Sequence, residues 1–83
     1  MTREQKTILL SMRVAEVEYY RASSREGHAW FKVRYDPPHK ELGKVMGRDL
    51  STVTTGTDEL DAYMHATANL NQFRAEKLKA AGV

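Results

Sequence analysis

The chain has 83 residues, of which 41% are hydrophobic and 29% are charged, and its formal net charge at pH 7 is only +2. This length allows a single domain over residues 1–83 with a modest core, and the composition is that of an ordinary soluble protein. Cysteine is absent, which excludes disulfides and thiolate metal sites and is typical of a reducing compartment. Because no apolar run is long enough for a signal peptide or a membrane span, we expect a cytoplasmic protein without membrane contact.

Positive charge is concentrated in the middle of the chain. Residues 31–48 hold five lysines and arginines against two acids, whereas residues 49–83 hold three against five. A local basic excess of this kind is compatible with nucleic-acid binding. A solvated surface with unevenly distributed charge explains it equally well.

The first part of the chain predicts a helix over residues 2–22. Apolar residues recur at helical spacing in two adjacent rows. These rows are Ile8, Met12, Ala15 and Tyr19, and Leu10, Val14 and Val17. Thr2 followed by Gln5 is typical of a capping box at the helix start. Serines and a glycine over residues 23–28 then predict a loop.

Residues 29–35 alternate between two kinds of side chain. Phe31, Val33 and Tyr35 are apolar, and they alternate with Trp30, Lys32 and Arg34. This period of two, with aromatic and β-branched residues, predicts a short extended or strand segment. The sequence offers no clear second strand, so we expect the segment to pack as an extended arm or to pair with itself in a dimer.

Two further helices are predicted after this segment. Residues 36–46 favour a short helix capped by Asp36 and ended by Gly47, with a narrow apolar stripe. Residues 49–63 favour a second helix capped by Asp49, because an unbroken helical row runs from Val53 onward.

An alternative exists for the second of these helices. Threonine and valine favour strands, so residues 51–55 could instead form a strand that turns at Gly56, with a helix starting only at Thr57 or Asp58. We favour the helix, since the apolar residues do not alternate. Residues 67–80 predict a helix that either continues the previous one or follows a kink near residues 69–71.

A short helix, a glycine-containing turn and a second helix form the outline of a helix-turn-helix. Residues 38–47 would be the supporting helix and turn, and residues 49–63 the recognition helix, whose first turns face base edges in the major groove. Hydroxyl groups there are short, and they donate and accept hydrogen bonds. The candidate residues are Ser51, Thr52, Thr54 and Thr55.

The run ELGKVMGRDLSTVTTGTDEL, residues 41–60, resembles the helix-turn-helix in the C-terminal DNA-binding domain of the bacterial replication initiator DnaA. Leu42-Gly43, Met46-Gly47, Arg48-Asp49 and Ser51-Thr52-Val53 stand at that family's I-G, F-G, R-D and [ST]-T-V places. The resemblance implies that Asp49, Ser51 and Thr52 approach bases and phosphates.

This chain also departs from that family. Leu50 and Thr55 stand where the family has histidines, and residues 23–37 are an insertion before the motif. The initiator's sequence specificity and its ATP-dependent activity are therefore not implied.

Basic residues near the motif are candidates for phosphate contacts. They are Lys40 and Lys44 on the first motif helix, Arg48 in the turn, and Lys32 and Arg34 on one face of the extended segment. For each of them the alternative is an ordinary solvated charge.

Other groups of residues give weaker evidence for a functional site. His28, His39 and His65 lack metal-ligand spacing, and no nucleophile–base pair or phosphate-binding glycine loop is present. We therefore expect no metal, no cofactor and no enzymatic activity. The aromatic residues Trp30, Phe31 and Tyr35 could stack on bases, but we favour a place in the core.

The sequence thus predicts a small, mainly α domain that binds double-stranded DNA by a helix-turn-helix. It would act as a small transcriptional regulator or as a replication or phage accessory protein, and a homodimer is a further expectation. The alternative is a protein-binding adaptor or inhibitor that keeps the fold without binding DNA. Leu50 at the recognition tip and the acidic cluster over residues 58–61 favour this alternative.

Overall fold

A computed structural model describes residues 1–37 and 53–82. The described chain forms helix α1 (Arg3–Ser11), strands β1 (Arg13–Ala22), β2 (Ala29–Asp36) and β3 (Val53–Gly56), and helix α2 (Glu59–Ala80). The strands make one antiparallel sheet in the order β1-β2-β3. The protein is therefore a small α+β domain, and the prediction of a mainly α fold is wrong.

The predicted N-terminal helix ends much earlier than expected. α1 stops at Ser11, and Met12 already has extended backbone with φ −62° and ψ 139°. The capping box of Thr2 and Gln5 is confirmed, since the Thr2 hydroxyl accepts from the Gln5 amide at 3.1 Å. The helical prediction for the second half of residues 2–22 is wrong, because that half is strand β1.

Two β-bulges explain why β1 has a misleading apolar pattern. The pairing of β1 with β2 shifts between Val14 and Glu16 and again between Tyr19 and Arg21. Each bulge adds one residue that has no opposite partner, and this breaks the period of two. Consequently Val14 and Val17 both face the inner side of the sheet although they are three residues apart, a spacing that also occurs on a helix.

Strand β2 is the centre of the sheet. The extended segment expected near residues 29–35 is present, but it pairs with β1 on one side and β3 on the other, all within one chain. Its alternation divides the side chains between two faces. Phe31, Val33 and Tyr35 are buried on the inner face, whereas Lys32 and Arg34 are exposed on the outer face.

The predicted recognition helix over residues 49–63 is wrong over residues 53–58, whereas residues 59–63 are helical and begin α2. Val53–Gly56 is strand β3, which was the alternative, and the Asp58 side chain caps α2 by accepting from the Asp61 amide at 2.8 Å. The physical reason is that the edge of β2 offers backbone partners to a segment rich in β-branched residues. α2 then runs as one helix through residues 69–71. The helix predicted over residues 36–46 is absent at its start, since Asp36 ends β2 and Pro37 is in a bend, and residues 38–46 lie outside the described residues.

The core lies between the inner face of the sheet and the two helices. Its buried cluster is Leu9, Met12, Val14, Val33, Tyr35, Ala66, Leu70 and Phe73. α2 approaches the sheet closely because the residues at its contact are small. Ala62 and Ala66 are fully buried, and a Cβ placed on Gly56 would lie 2.6 Å from the Ala62 amide nitrogen and 2.9 Å from its Cα.

Arg74 joins the end of α1 to α2. Its Nη1 donates to the carbonyl oxygens of Leu10 at 3.2 Å and Met12 at 3.0 Å, and its Nη2 donates to the Asn71 side chain at 3.1 Å. The last carbonyls of a helix have no partner within the helix. Arg74 therefore supplies donors to the point where the chain changes from helix to strand.

We predict that Gly56→Ala destabilises the fold by about 3 kcal/mol, the upper end of the cost of overpacking, because the new methyl group meets the backbone of α2. Urea unfolding followed by circular dichroism measures this. Gly27→Ala is the matched control, since nothing lies within 4 Å of its added Cβ and only its φ of +76° opposes the change. That control should cost about 1 to 2 kcal/mol. Equal losses for both variants would contradict the close approach of α2.

We predict that Arg74→Met lowers the free energy of unfolding by about 1 to 2 kcal/mol, because the two carbonyl groups lose a charged donor. The same urea experiment measures the change. Lys79→Met removes an exposed charge from the last turn of the same helix. It should change the stability by less than about 0.5 kcal/mol. If Arg74→Met were as neutral as this control, Arg74 would not join the helices.

Burial raises the pKa of the Tyr35 phenol above its ordinary value of 10.0. The unfolded chain then releases the Tyr35 proton more readily than the folded one. The resulting stability is fully present below pH 10 and is lost as the pH rises through the folded pKa. We predict that Tyr35→Phe reduces the fall in unfolding free energy between neutral pH and pH values above 10. Urea unfolding of the parent and the variant over this pH range measures the difference, and an equal fall in the two would contradict the prediction.

Candidate nucleic-acid interface

The outer face of the sheet carries exposed side chains, and neither described helix packs on it. α2 packs on the opposite face, and the side chains of β1 and β2 that point outward are mostly charged. They are Arg13, Glu16, Glu18 and Arg21 from β1, and Trp30, Lys32, Arg34 and Asp36 from β2. An antiparallel sheet with one solvated face commonly has such a polar surface, so the arrangement within the face decides what it can bind.

The half of this face near the β1–β2 turn carries aromatic rings and cations together. The Lys32 Nζ lies 4.8 Å from the centroid of the Tyr20 ring, and the Arg21 Cζ lies 5.5 Å from it. Arg21 stands directly opposite Trp30 in the strand register, and Trp30 is only half-buried. We call Tyr20, Arg21, Trp30 and Lys32 the hairpin patch.

The second bulge of β1 makes the hairpin patch. Tyr19 stands opposite Phe31 on the inner face, and Arg21 stands opposite Trp30 on the outer face. In a regular strand residues 19 and 21 would share one face. The extra residue at Tyr20 reverses this, and the Tyr20 ring reaches Lys32 on the outer side. A bulge that redirects side chains in this way is common at binding sites.

The other half of the outer face is electrically compensated. Arg13 pairs with Asp36 at 3.1 Å, and Arg34 pairs with Glu16 at 3.3 Å. In the described part of the chain, Lys32 and Arg21 contact an aromatic ring and form no ion pair. The cations that are available to an anionic ligand on this face are therefore those of the hairpin patch.

The structure separates the DNA-contact residues predicted from the sequence. Lys32 lies in the hairpin patch, and Thr55 stands opposite Trp30 beside it. Arg34 is on the same face but is engaged by Glu16. Thr54 is buried on the inner face opposite Phe31, so its hydroxyl cannot approach a base. Lys40, Lys44, Arg48, Asp49, Ser51 and Thr52 lie outside the described residues.

Tyr20 and Arg21 are not among the site residues predicted from the sequence, because their segment was predicted to be a helix. It also favoured a core position for Trp30 together with Phe31 and Tyr35, and only the latter two are fully buried. The alternation over residues 29–35 already placed Trp30 on the side of Lys32. That signal was sufficient to find half of the hairpin patch.

The start of α2 has the opposite charge. The Asp61 carboxylate accepts from the Thr57 amide at 2.8 Å and from the Thr57 hydroxyl at 3.2 Å, and the His65 Nε2 lies 3.5 Å from it. The backbone hydrogen bond from Thr57 is the main cause that holds the pKa of Asp61 below its ordinary value. Asp61 is therefore charged at neutral pH, and with Asp58 and Glu59 it makes this corner unfavourable for phosphate.

The His65 side chain connects the start of α2 to strand β3. Its Nδ1 lies 2.7 Å from the carbonyl oxygen of Thr55 in β3. The imidazole thus occupies an acceptor on the short strand that ends the described sheet, where exposed backbone groups would otherwise invite pairing with another chain. Among the described residues no group of three acids, histidines or cysteines is placed to hold a metal ion.

Comparison of the chain with protein-family models, with curated proteins and with solved structures gives no match. The resemblance of residues 41–60 to the DnaA motif therefore stays a prediction from the sequence. Neither described helix is both long enough and apolar enough to cross a membrane.

Proposed function

We propose that this protein binds single-stranded nucleic acid through the outer face of its sheet. The observation that carries the proposal is the hairpin patch, in which Lys32 and Arg21 approach the ring of Tyr20 and Trp30 stands beside Arg21. Single-stranded nucleic acid is an anionic chain of unpaired aromatic bases, and surfaces that bind it combine cations with aromatic rings.

Two features favour a single strand over a duplex. Aromatic rings stack on bases only when the bases are unpaired, and a flat sheet gives such bases a platform. A duplex groove is instead read by a protruding helix or ribbon. A helix-turn-helix does not carry this proposal, because residues 53–56 of the expected recognition helix are strand β3 and α2 begins only at Glu59.

The cations of the hairpin patch would contact phosphate at the edge of this platform. Lys32 is in the central strand and Arg21 is in the edge strand β1, so together they span the width of two strands. Their contact with Tyr20 places the charges next to the ring before any ligand arrives. Such an arrangement lowers the entropy cost of ordering these long side chains on binding.

Trp30 provides a direct measurement, because it is the single tryptophan of the chain. We predict that an oligothymidylate quenches its fluorescence and that a duplex of the same length binds more weakly with less quenching. Tyr20→Ala should weaken oligothymidylate binding about tenfold or more, since stacking contributes about 1–3 kcal/mol per base. Tight duplex binding with unchanged Trp30 fluorescence would contradict the proposal.

Charge variants separate phosphate contact from stacking. The double variant Arg21→Ala with Lys32→Ala should reduce the dependence of log affinity on log salt by about 1.4, because each phosphate contact on a single strand contributes about 0.7. The matched control is Lys6→Ala with Lys79→Ala, which removes the same charge from the two helices. If both pairs reduced the salt dependence equally, binding would be a response to net charge rather than to the hairpin patch.

A further inference from the structure

A second surface lies on α2, away from the hairpin patch. Leu60, Tyr63 and Met64 follow each other at helical spacing and are 68%, 44% and 61% exposed. Residues at this spacing lie on one side of a helix. α2 buries a different side, which carries Ala62, Ala66, Leu70 and Phe73. The first two turns of α2 therefore present large apolar side chains to solvent.

Arg74 shows which way this surface faces. Arg74 donates to Leu10 and Met12, the residues that lead into β1. Tyr63 precedes Arg74 by about three helical turns, so it lies on nearly the same side of α2, the side toward β1. We call Leu60, Tyr63 and Met64 the helix patch.

The charges around the helix patch are acidic. Asp58, Glu59 and Asp61 are at the start of α2, beside Leu60, and the basic residues of the helix are near its other end. Two copies of the chain that met through this surface would bring two acidic clusters together, which opposes a homodimer here. A ligand with apolar side chains flanked by lysine or arginine would complement both the apolar surface and its charge.

We infer that the helix patch docks a cationic amphipathic segment of a partner protein. Leu60 and Met64 contact the apolar side of that segment, and Glu59 and Asp61 attract its basic residues. Apolar groups exposed in a contiguous row and surrounded by one sign of charge are typical of a groove or face that receives a helix. This surface is on the opposite side of the sheet from the hairpin patch, and the inference is independent of nucleic-acid binding.

The test uses the intact protein and three labelled peptides. The first is a short amphipathic peptide of leucine and lysine with helical spacing, the second replaces every lysine by glutamate, and the third replaces every leucine by serine. Fluorescence anisotropy measures binding of each one. We expect only the leucine–lysine peptide to bind. Leu60→Gln with Met64→Gln should weaken it by at least about tenfold, because the variant removes the apolar contact.

Three controls make the result specific. Leu10→Gln changes an exposed leucine of α1 and should leave peptide affinity unchanged. Circular dichroism should show that Leu60→Gln with Met64→Gln keeps the native spectrum, since both side chains are exposed. That variant should also bind oligothymidylate as the parent does, which separates this inference from the proposed function.

Several outcomes would overturn the inference. Equal affinity for the leucine–glutamate peptide, binding of the serine–lysine peptide with the same affinity, or no effect of the Leu60 and Met64 changes would each contradict a cationic amphipathic partner. Sedimentation of the protein alone tests whether a second copy of the chain binds to the helix patch. A dimer that Leu60→Gln with Met64→Gln dissociates would show that the helix patch serves a second copy of the chain instead.

Discussion

The close approach of α2 to the sheet is the constraint on which the rest of the structure depends. Gly56 leaves no room for a side chain against the backbone of Ala62, and the fully buried Ala62 and Ala66 allow the helix to lie close to the strands. This contact joins β3 to the helix that follows it and directs the apolar side of α2 onto the inner face. Because both described helices pack with the inner face, neither of them covers the outer face of β1 and β2.

That division gives the molecule two surfaces of different chemistry. The outer face has cations and rings in the hairpin patch, while in its other half Arg13 pairs with Asp36 and Arg34 pairs with Glu16. The start of α2 has acids and exposed apolar residues. A net charge of only +2 conceals this separation. The local arrangement of charged and aromatic side chains, rather than the net charge, therefore determines what each surface can bind.

Several elements of the fold could be predicted from the sequence, and the wrong predictions have specific physical causes. The capping box of Thr2, the loop after β1, the alternation in β2 and the end of the last helix all follow from local patterns. β1 was predicted as helix because its first bulge, between Val14 and Glu16, spaces Val14 and Val17 as a helix would. β3 was predicted as helix because its pairing with β2 is a long-range contact that no local pattern contains. Tyr20 and Arg21 were not predicted as site residues because their segment was predicted to be a helix. Their position on the sheet depends on the second bulge of β1, between Tyr19 and Arg21.

Photocrosslinking can show whether single-stranded nucleic acid binds to the outer face of the sheet. An oligothymidylate that carries a photoreactive thymine analogue would be irradiated in complex with the protein, and the modified residues would be located by mass spectrometry. We expect crosslinks at Tyr20 or Trp30, which tryptic cleavage places in the separate peptides 14–21 and 26–32. Crosslinks confined to α1, α2 or residues 38–52, or a protein that does not crosslink at all, would contradict binding through the outer face of the sheet.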